Sequence, residues 1–292
     1  ATGYDFPAIE KKWVTKKLLP NGDMAPGQSF IINLRRDKFK DIRVRKAIGL
    51  MFNFEWSNKT LFYDLYARIN SFWENSDMSA EGKPSKAEMN ILQSVKSILP
   101  DNVIDSDVAQ VSLSSTKQLD RKNLRMASKL LDEAGWEVSS DGLRKNSNGE
   151  TLDVEILNDS QAFTRIIEPF IQNLISLGVN AKHTKIDNAQ MTERERSFDF
   201  DIVTGNFPMS FTPGSGLKQY FGSETADVSI FNKAGIKSDA IDKLIEIVMS
   251  AKTRQELKVS VRVLDRVLRS YYFWIPQWYK NVHTVAYYDF YE

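Results

Sequence analysis

Between residues 151 and 204 the hydrophobic pattern changes period four times, and this restricts the possible folds more than any other feature of the chain. Leu152, Val154 and Ile156 alternate with Asp153 and Glu155, the period-two pattern of a strand with one polar face. Phe163, Ile166, Ile167, Phe170, Leu174 and Leu177 then recur at helical spacing over 163–177, and Gly178 ends the run. Pro169 inside that pattern predicts a kink or a late helix start, because proline cannot donate to the preceding turn. A strand over 179–186, a polar helix near 188–196 and a strand over 198–204 follow. Strand, helix, strand, helix, strand is the order of a βαβαβ unit with parallel pairing, so the fold class is α/β.

Capping signals place further helices. Asp41 stands where it can cap a helix whose apolar face is Val44, Ala47, Ile48 and Met51. Ser85 and Glu88 form a capping box ahead of Met89, Leu92, Val95, Ile98 and Leu99, and Pro100 stops that helix. A helix from about Arg121 carries Leu124, Ala127, Leu130, Leu131 and Ala134 on one face and closes at Gly135. Asp141-Gly142 and Asn148-Gly149 mark turns around a short strand near Leu143. Two more helices run over 238–251 and from a Thr253/Glu256 capping box. The first 28 residues, with Pro7, Pro20 and Pro26, read as an extended lead-in. Residues 101–119 read as a surface connection, and 271–291 as an aromatic tail with strand-like stretches.

Charge and composition exclude several functions. Lys and Arg total 39 against 38 Asp and Glu, so the net charge of +1 exerts no global pull on nucleic acid or anionic membrane. The basic run from Arg35 to Lys46 lacks the interleaved aromatic residues of a nucleic-acid module and reads as a solvated helix flank. With no cysteine, disulfides, zinc–thiolate sites and thiol nucleophiles are impossible. No apolar run approaches the length of about 18 residues that a membrane helix requires. The opening Ala1-Thr2-Gly3-Tyr4 has neither an initiating methionine nor a signal-peptide core, which reads as a processed or excised piece.

No catalytic constellation is present. The two histidines, His183 and His283, are too few for an imidazole metal site, so no metal and no cofactor are expected. Gly214-Ser215-Gly216 lacks the third glycine of a dinucleotide loop. Asp199 and Asp201 could act as paired carboxylates, but strand alternation with Phe198, Phe200 and Ile202 accounts for them more simply. The feature with functional promise is geometric. If the strands ending at Asn158-Asp159-Ser160 and at Gly205-Asn206-Phe207-Pro208 share a parallel sheet, both segments emerge on the edge where such sheets bind ligands. Gly205 would permit close backbone approach, Asn206 and Ser160 would offer hydrogen bonds, and Phe207 would form an apolar wall.

Four ordered blocks carry a family resemblance. The stretch from Asn33 to Trp56 orders Asn-x-Arg-Arg, Phe, Asp-x-Arg-Val-Arg, Ala-Ile, and then Phe with an acidic residue. Asn123-Leu-Arg-Met-Ala-Ser-Lys-Leu-Leu-Asp-Glu-Ala-Gly-Trp136, Ile171-Gln-Asn-Leu-Ile-Ser-Leu-Gly-Val179 and Phe198-Asp-Phe-Asp-Ile-Val-Thr-Gly205 follow. This pattern resembles the family 5 extracellular solute-binding proteins, the dipeptide and oligopeptide receptors of ABC importers. Ser71-Phe-Trp-Glu-Asn-Ser76 and Ile275-Pro-Gln-Trp-Tyr279 are most similar to the Yej-type peptide-binding branch.

The resemblance implies the C-terminal half of a longer, two-lobed protein. Residues 1–49 would be a lead-in and hinge-proximal segment of a mostly absent lobe, 50–270 the ligand-closing lobe, and 271–292 the return strands. It further implies a periplasmic, non-enzymatic monomer that captures a peptide or peptide-like solute by domain closure and delivers it to a membrane permease, without binding nucleic acid. The implied cleft residues are Asn158, Asp159, Ser160, Gly205, Asn206, Phe207 and Met209. In many relatives an aspartate four residues after the cleft-entering glycine holds the peptide ammonium, and here that position is Met209. No basic residue stands near 158–160 for a ligand carboxylate, so both usual charge anchors are missing and a modified or longer peptide fits as well as a dipeptide. Two other readings stay open: a hydrolase using Asp199 or Asp201 with His183 or His283, and an interaction domain built on the aromatic tail.

Overall fold

The computed structural model describes residues 6–101 and 103–288; the opening Ala1–Tyr4 and the last aromatic residues of the tail lie outside the described residues. In chain order the elements begin with α1 (Pro7–Glu10), β1 (Val14–Pro20), β2 (Ser29–Ile32), α2 (Ile42–Met51) and α3 (Phe54–Leu61). They continue with β3 (Ala67–Arg68), α4 (Lys86–Ser94), α5 (Arg121–Glu133), β4 (Glu137–Val138), β5 (Arg144–Lys145) and β6 (Asp153–Asn158). Next come α6 (Gln161–Ser176), β7 (Asn180–Lys185), α7 (Asn188–Arg196), β8 (Ile202–Gly205) and α8 (Gly216–Phe221). The last are α9 (Asp239–Ser250), α10 (Arg254–Ser270), β9 (Trp274–Pro276), β10 (Trp278–Tyr279) and β11 (Val282–Tyr288).

Five strands form the central sheet in the order β7-β6-β8-β2-β9. β7, β6 and β8 run parallel, as the βαβαβ pattern requires, with Ile156 opposite both His183 and Ile202. β2 is antiparallel to β8 on one side and to β9 on the other. Period-two alternation divides the core into two layers. Phe30, Ile32, Ile156, Ile202 and Ile275 face α2, α5 and α6, where Phe30, Phe52 and Phe170 meet with ring centroids 5.3–5.6 Å apart. Ile31, Leu157, Val203 and Trp274 face α9 and α10, and Phe72 stacks on Trp274 at 3.9 Å. Each of these fully buried large side chains contributes roughly 1.5–3 kcal/mol of apolar burial.

The capping signals act as the sequence predicts. Asp41 accepts from the Arg43 amide at 2.8 Å, and complete capping boxes open α4 at Ser85/Glu88 and α10 at Thr253/Glu256. α5 starts on Asp120 and gives way at Gly135, whose φ of +82° suits a residue without Cβ.

Four expectations are corrected. β2 and β9, from opposite ends of the chain, lie inside the central sheet, where their apolar side chains fill both core layers. The β1–β11 pair, Val14 opposite Tyr288 through Pro20 opposite Val282, stands outside that sheet, as do the short pairs β3–β10 and β4–β5, so the lead-in contains a strand rather than loop alone. The first part of the aromatic tail is interior: Trp274, Ile275 and Trp278 are buried. α6 begins at Gln161, well before Pro169, so the proline does not delay the helix.

The fourth correction concerns 198–204, where the strand covers only Ile202–Gly205. Phe198 has φ +54°, and the Asn33 side-chain amide donates to the carbonyls of Phe198 at 3.0 Å and Phe200 at 2.8 Å. Side-chain hydrogen bonds thus take carbonyls that a ladder would otherwise use. Arg35 completes this corner by lying 3.8 Å over the Phe198 ring and donating to the Asn232 and Lys233 carbonyls. Among the described residues no helix is long and apolar enough to cross a membrane.

Candidate functional site: the strand-end edge

The parallel register brings the two sequence-selected segments to one edge. Leu157 lies opposite Val203, so Asn158-Asp159-Ser160 and the 205–209 segment leave the sheet on the same side. The end of β7 joins them, and Asp159 lines a shallow hollow with residues 185–190. Because β2 runs the other way, its start at Ser29 lies opposite both Gly205 and Pro276. Gln28 and Gln277 therefore also reach this edge, and their side chains meet at 2.8 Å. Sequence reading missed this pair, whose pairing partners lie nearly the whole chain apart.

The candidate residues divide into scaffold and accessible surface. Asn158 is buried: its side chain donates to the Ser160 carbonyl at 2.7 Å and accepts from the Ser160 amide at 2.9 Å, turning the chain into α6. Gly205 is required by the core, since a Cβ there would lie 2.6 Å from Ile31 Cδ1. Phe207 is only 1% exposed and packs on Phe72 and Phe221, each with centroids at 5.3 Å. Its ring is a core element and leaves a ligand almost no surface to touch. Asp159 and Asn206 are exposed, Ser160 and Met209 half-buried. The Ser160 side chain makes no capping bond to α6. The accessible surface thus offers a carboxylate, a hydroxyl, a carboxamide and a thioether, a set suited to hydrogen bonding a polar ligand and not to covalent chemistry. Ser29 Oγ and Gln277 Nε2 are buried beside it without hydrogen-bond partners among the described residues.

The residues of the hydrolase reading are held apart. Asp199 pairs with Arg36 at 2.7 Å and Arg194 at 3.4 Å. Asp201 pairs with Lys38 at 2.7 Å and accepts from the Glu155 amide at 3.0 Å. Both precede β8, at the end of the sheet opposite the 205–209 segment. His183 Nδ1 contacts Glu168 at 2.8 Å, and His283 sits in the separate β1–β11 ribbon. Neither aspartate is bonded to a histidine. Glu155 belongs to the same charged cluster: burial works to raise its pKa, but hydrogen bonds from Thr184, Arg194 and Lys182 prevail and hold it at about 2. No group of three potential metal ligands occurs among the described residues.

Comparison with known proteins sets this geometry in context. A family model described as bacterial extracellular solute-binding proteins, family 5 middle, matches residues 6–228. A protein of Agrobacterium fabrum named "Probable peptide-binding protein YejA" is 39% identical over 292 residues, covering 99% of this chain and 47% of its own length. The oligopeptide-binding protein AppA from Bacillus subtilis, in complex with a nonapeptide, is similar with a TM-score of 0.68 at 18% identity, over 97% of this chain and 51% of AppA. NikA from Brucella suis, in complex with Fe(III)-EDTA, gives 0.67 at 16% identity, over 96% of this chain and 49% of NikA. At these identities the structural likeness is one of fold. The chain spans about half the length of the proteins it matches.

Proposed function

The chain belongs to the bacterial extracellular solute-binding proteins of family 5, and on that footing we propose that it forms one wall of a receptor for peptides or peptide-like solutes that serves an ABC permease outside the cytoplasmic membrane. The observation that carries this reading is the convergence of 158–160 and 205–209 on the carboxyl edge of one parallel sheet. Asp159, Ser160 and Asn206 are the groups free to contact ligand there, with Asn158, Gly205 and Phe207 fixing the loops that present them. The peptide-binding name of the Agrobacterium relative supports a peptide ligand. Capture proceeds without covalent chemistry in a monomer that does not engage nucleic acid, and the site of action is the periplasm. The β1–β11 ribbon, outside the central sheet, is the natural connection to a second lobe.

Met209 gives the reading its specificity test. A thioether cannot pair with a peptide ammonium, so this edge accepts N-blocked or otherwise modified peptides as readily as free ones. Ligand-observed saturation-transfer NMR with matched free and N-acetylated peptides checks this directly. The native chain should respond to both forms, and Met209→Asp should favour the free form. No response to either form from the native chain would count against a peptide ligand.

A further inference from the structure

A second cavity lies away from the strand-end edge, along the outer side of β9. It has a volume of about 400 Å³, and none of residues 158–160 or 205–209 lines it. α2, α5, the end of α10 and the 109–112 segment enclose it, and its apolar wall includes Leu50, Met126, Leu130, Trp274 and Ile275. Four cations, Arg45, Lys46, Arg68 and Arg269, also line it, and no carboxylate does. Arg68 and Arg269 pair with carboxylates that do not line the cavity, Glu55 at 2.9 Å and Asp265 at 3.2 Å, so its wall joins an apolar body to cationic groups.

Each arginine is anchored by part of its guanidinium. Arg45 donates from Nε to the Tyr271 carbonyl at 2.9 Å and from Nη1 to the Phe39 carbonyl at 2.6 Å. Arg68 Nη1 reaches Glu55 at 2.9 Å and the Ser112 carbonyl at 3.2 Å. Arg269 Nε reaches the Ala109 carbonyl at 2.9 Å, and its Nη1 the Ala80 carbonyl at 3.0 Å. In all three, Nη2 finds no acceptor among the described residues, yet none is sealed in the core, whereas Arg68 Nε is buried with no partner. Lys46 Nζ rests 4.5 Å above the Tyr272 ring, with no carboxylate partner among the described residues. Burial lowers the pKa of Arg45 to about 10 despite the counter-charge of Asp41, and burial with the neighbouring Arg45 lowers that of Lys46.

The floor of the cavity is Gly49, in the interior of α2. A Cβ at this position would meet only Ile275 Cγ1, at 3.9 Å, so no clash demands the glycine. Its effect is to leave the space open, in a helix that alanine would stabilise.

The geometry points to a second binding site in this cavity, for a small apolar molecule carrying one carboxylate or phosphate head. The head would accept hydrogen bonds from the free guanidinium edges and from Lys46, and the apolar body would lie against Trp274, Ile275 and Leu130. This site is independent of the strand-end reading and neither requires it nor follows from it.

The test is isothermal titration of the full chain with decanoate, decyl phosphate and decanol. The expected result is saturable 1:1 binding of at least one anion, about tenfold or more tighter than decanol, since a charge-assisted hydrogen bond contributes that much. The tighter of the two anions identifies the head group. Lys46→Met, at a half-exposed position, should weaken anion binding about tenfold while leaving decanol binding unchanged. Gly49→Leu should fill the cavity and abolish binding of all three, and Lys46→Met decides alone if that variant does not fold. Absence of saturable anion binding, equal affinity for decanol and both anions, or unaltered anion affinity in Lys46→Met would overturn the proposal.

Discussion

Gly27 and Phe207 are locked together: a Cβ on the glycine would fall 2.5 Å from the Phe207 carbonyl oxygen, and the Phe207 amide donates to the Gly27 carbonyl at 3.3 Å. Gly27 also has φ +62°, a region costly for a residue with a side chain. The segment that enters β2 thereby holds in place the segment that leaves β8, and the strand-end edge takes its shape from this contact. Gly27→Ala should destabilise the chain by roughly 1–3 kcal/mol, read as a shift in the urea midpoint.

Phe207→Ala should cost about 3–5 kcal/mol, because it empties a site packed against Phe72, Phe221 and Phe273. Asn206→Ala, one residue away and exposed, should change stability by less than about 0.5 kcal/mol. Denaturant unfolding of both variants separates scaffold from surface within this loop. Equal stabilities would contradict the assignment.

Asn33→Ala should lower stability by about 2 kcal/mol or more, since it strips hydrogen bonds from the Phe198 and Phe200 carbonyls. The cost should appear in thermal melting while the affinity of any ligand at the strand-end edge stays unchanged, because Asn33 acts at the other end of β8.

How much of this was legible in the sequence depends on how far each cause lies from its effect. Helix caps at Asp41, Ser85 and Thr253 and the parallel unit from β6 to β8 rest on local signals, and each is present as expected. The short strands β2 and β9 gain their place in the sheet from pairing between residues about 245 apart, as between Ser29 and Pro276, which no local period reveals. The Phe–Asp alternation at 198–201 suggested a strand, but Asn33, remote in sequence, takes the carbonyls involved. At the candidate site, position was legible and accessibility was not. Phe207 resembled a ligand wall because the rings that bury it come from three distant segments.

The depressed pKa of Glu155 gives a pH prediction. A carboxylate held at about 2 when folded, against about 4.3 unfolded, contributes stability that is fully present above the unfolded value and is lost as pH falls toward 2. Glu155→Gln should therefore melt below the native chain at pH 6, and the gap should narrow steadily between pH 4.3 and 2. A gap independent of pH would contradict the ion-pair and hydrogen-bond account.

The central claim is that ligand meets this lobe at Asp159, Ser160 and Asn206. Saturation-transfer NMR with a pool of short free and N-acetylated peptides should be run on the native chain and on an Asp159→Ala/Ser160→Ala/Asn206→Ala variant. These half-exposed and exposed positions carry little stability, so the variant should fold normally. The account predicts weak, fast-exchanging signals from particular peptides in the native chain, and their loss in the variant. Identical signals from both proteins, or none from the native chain, would contradict it.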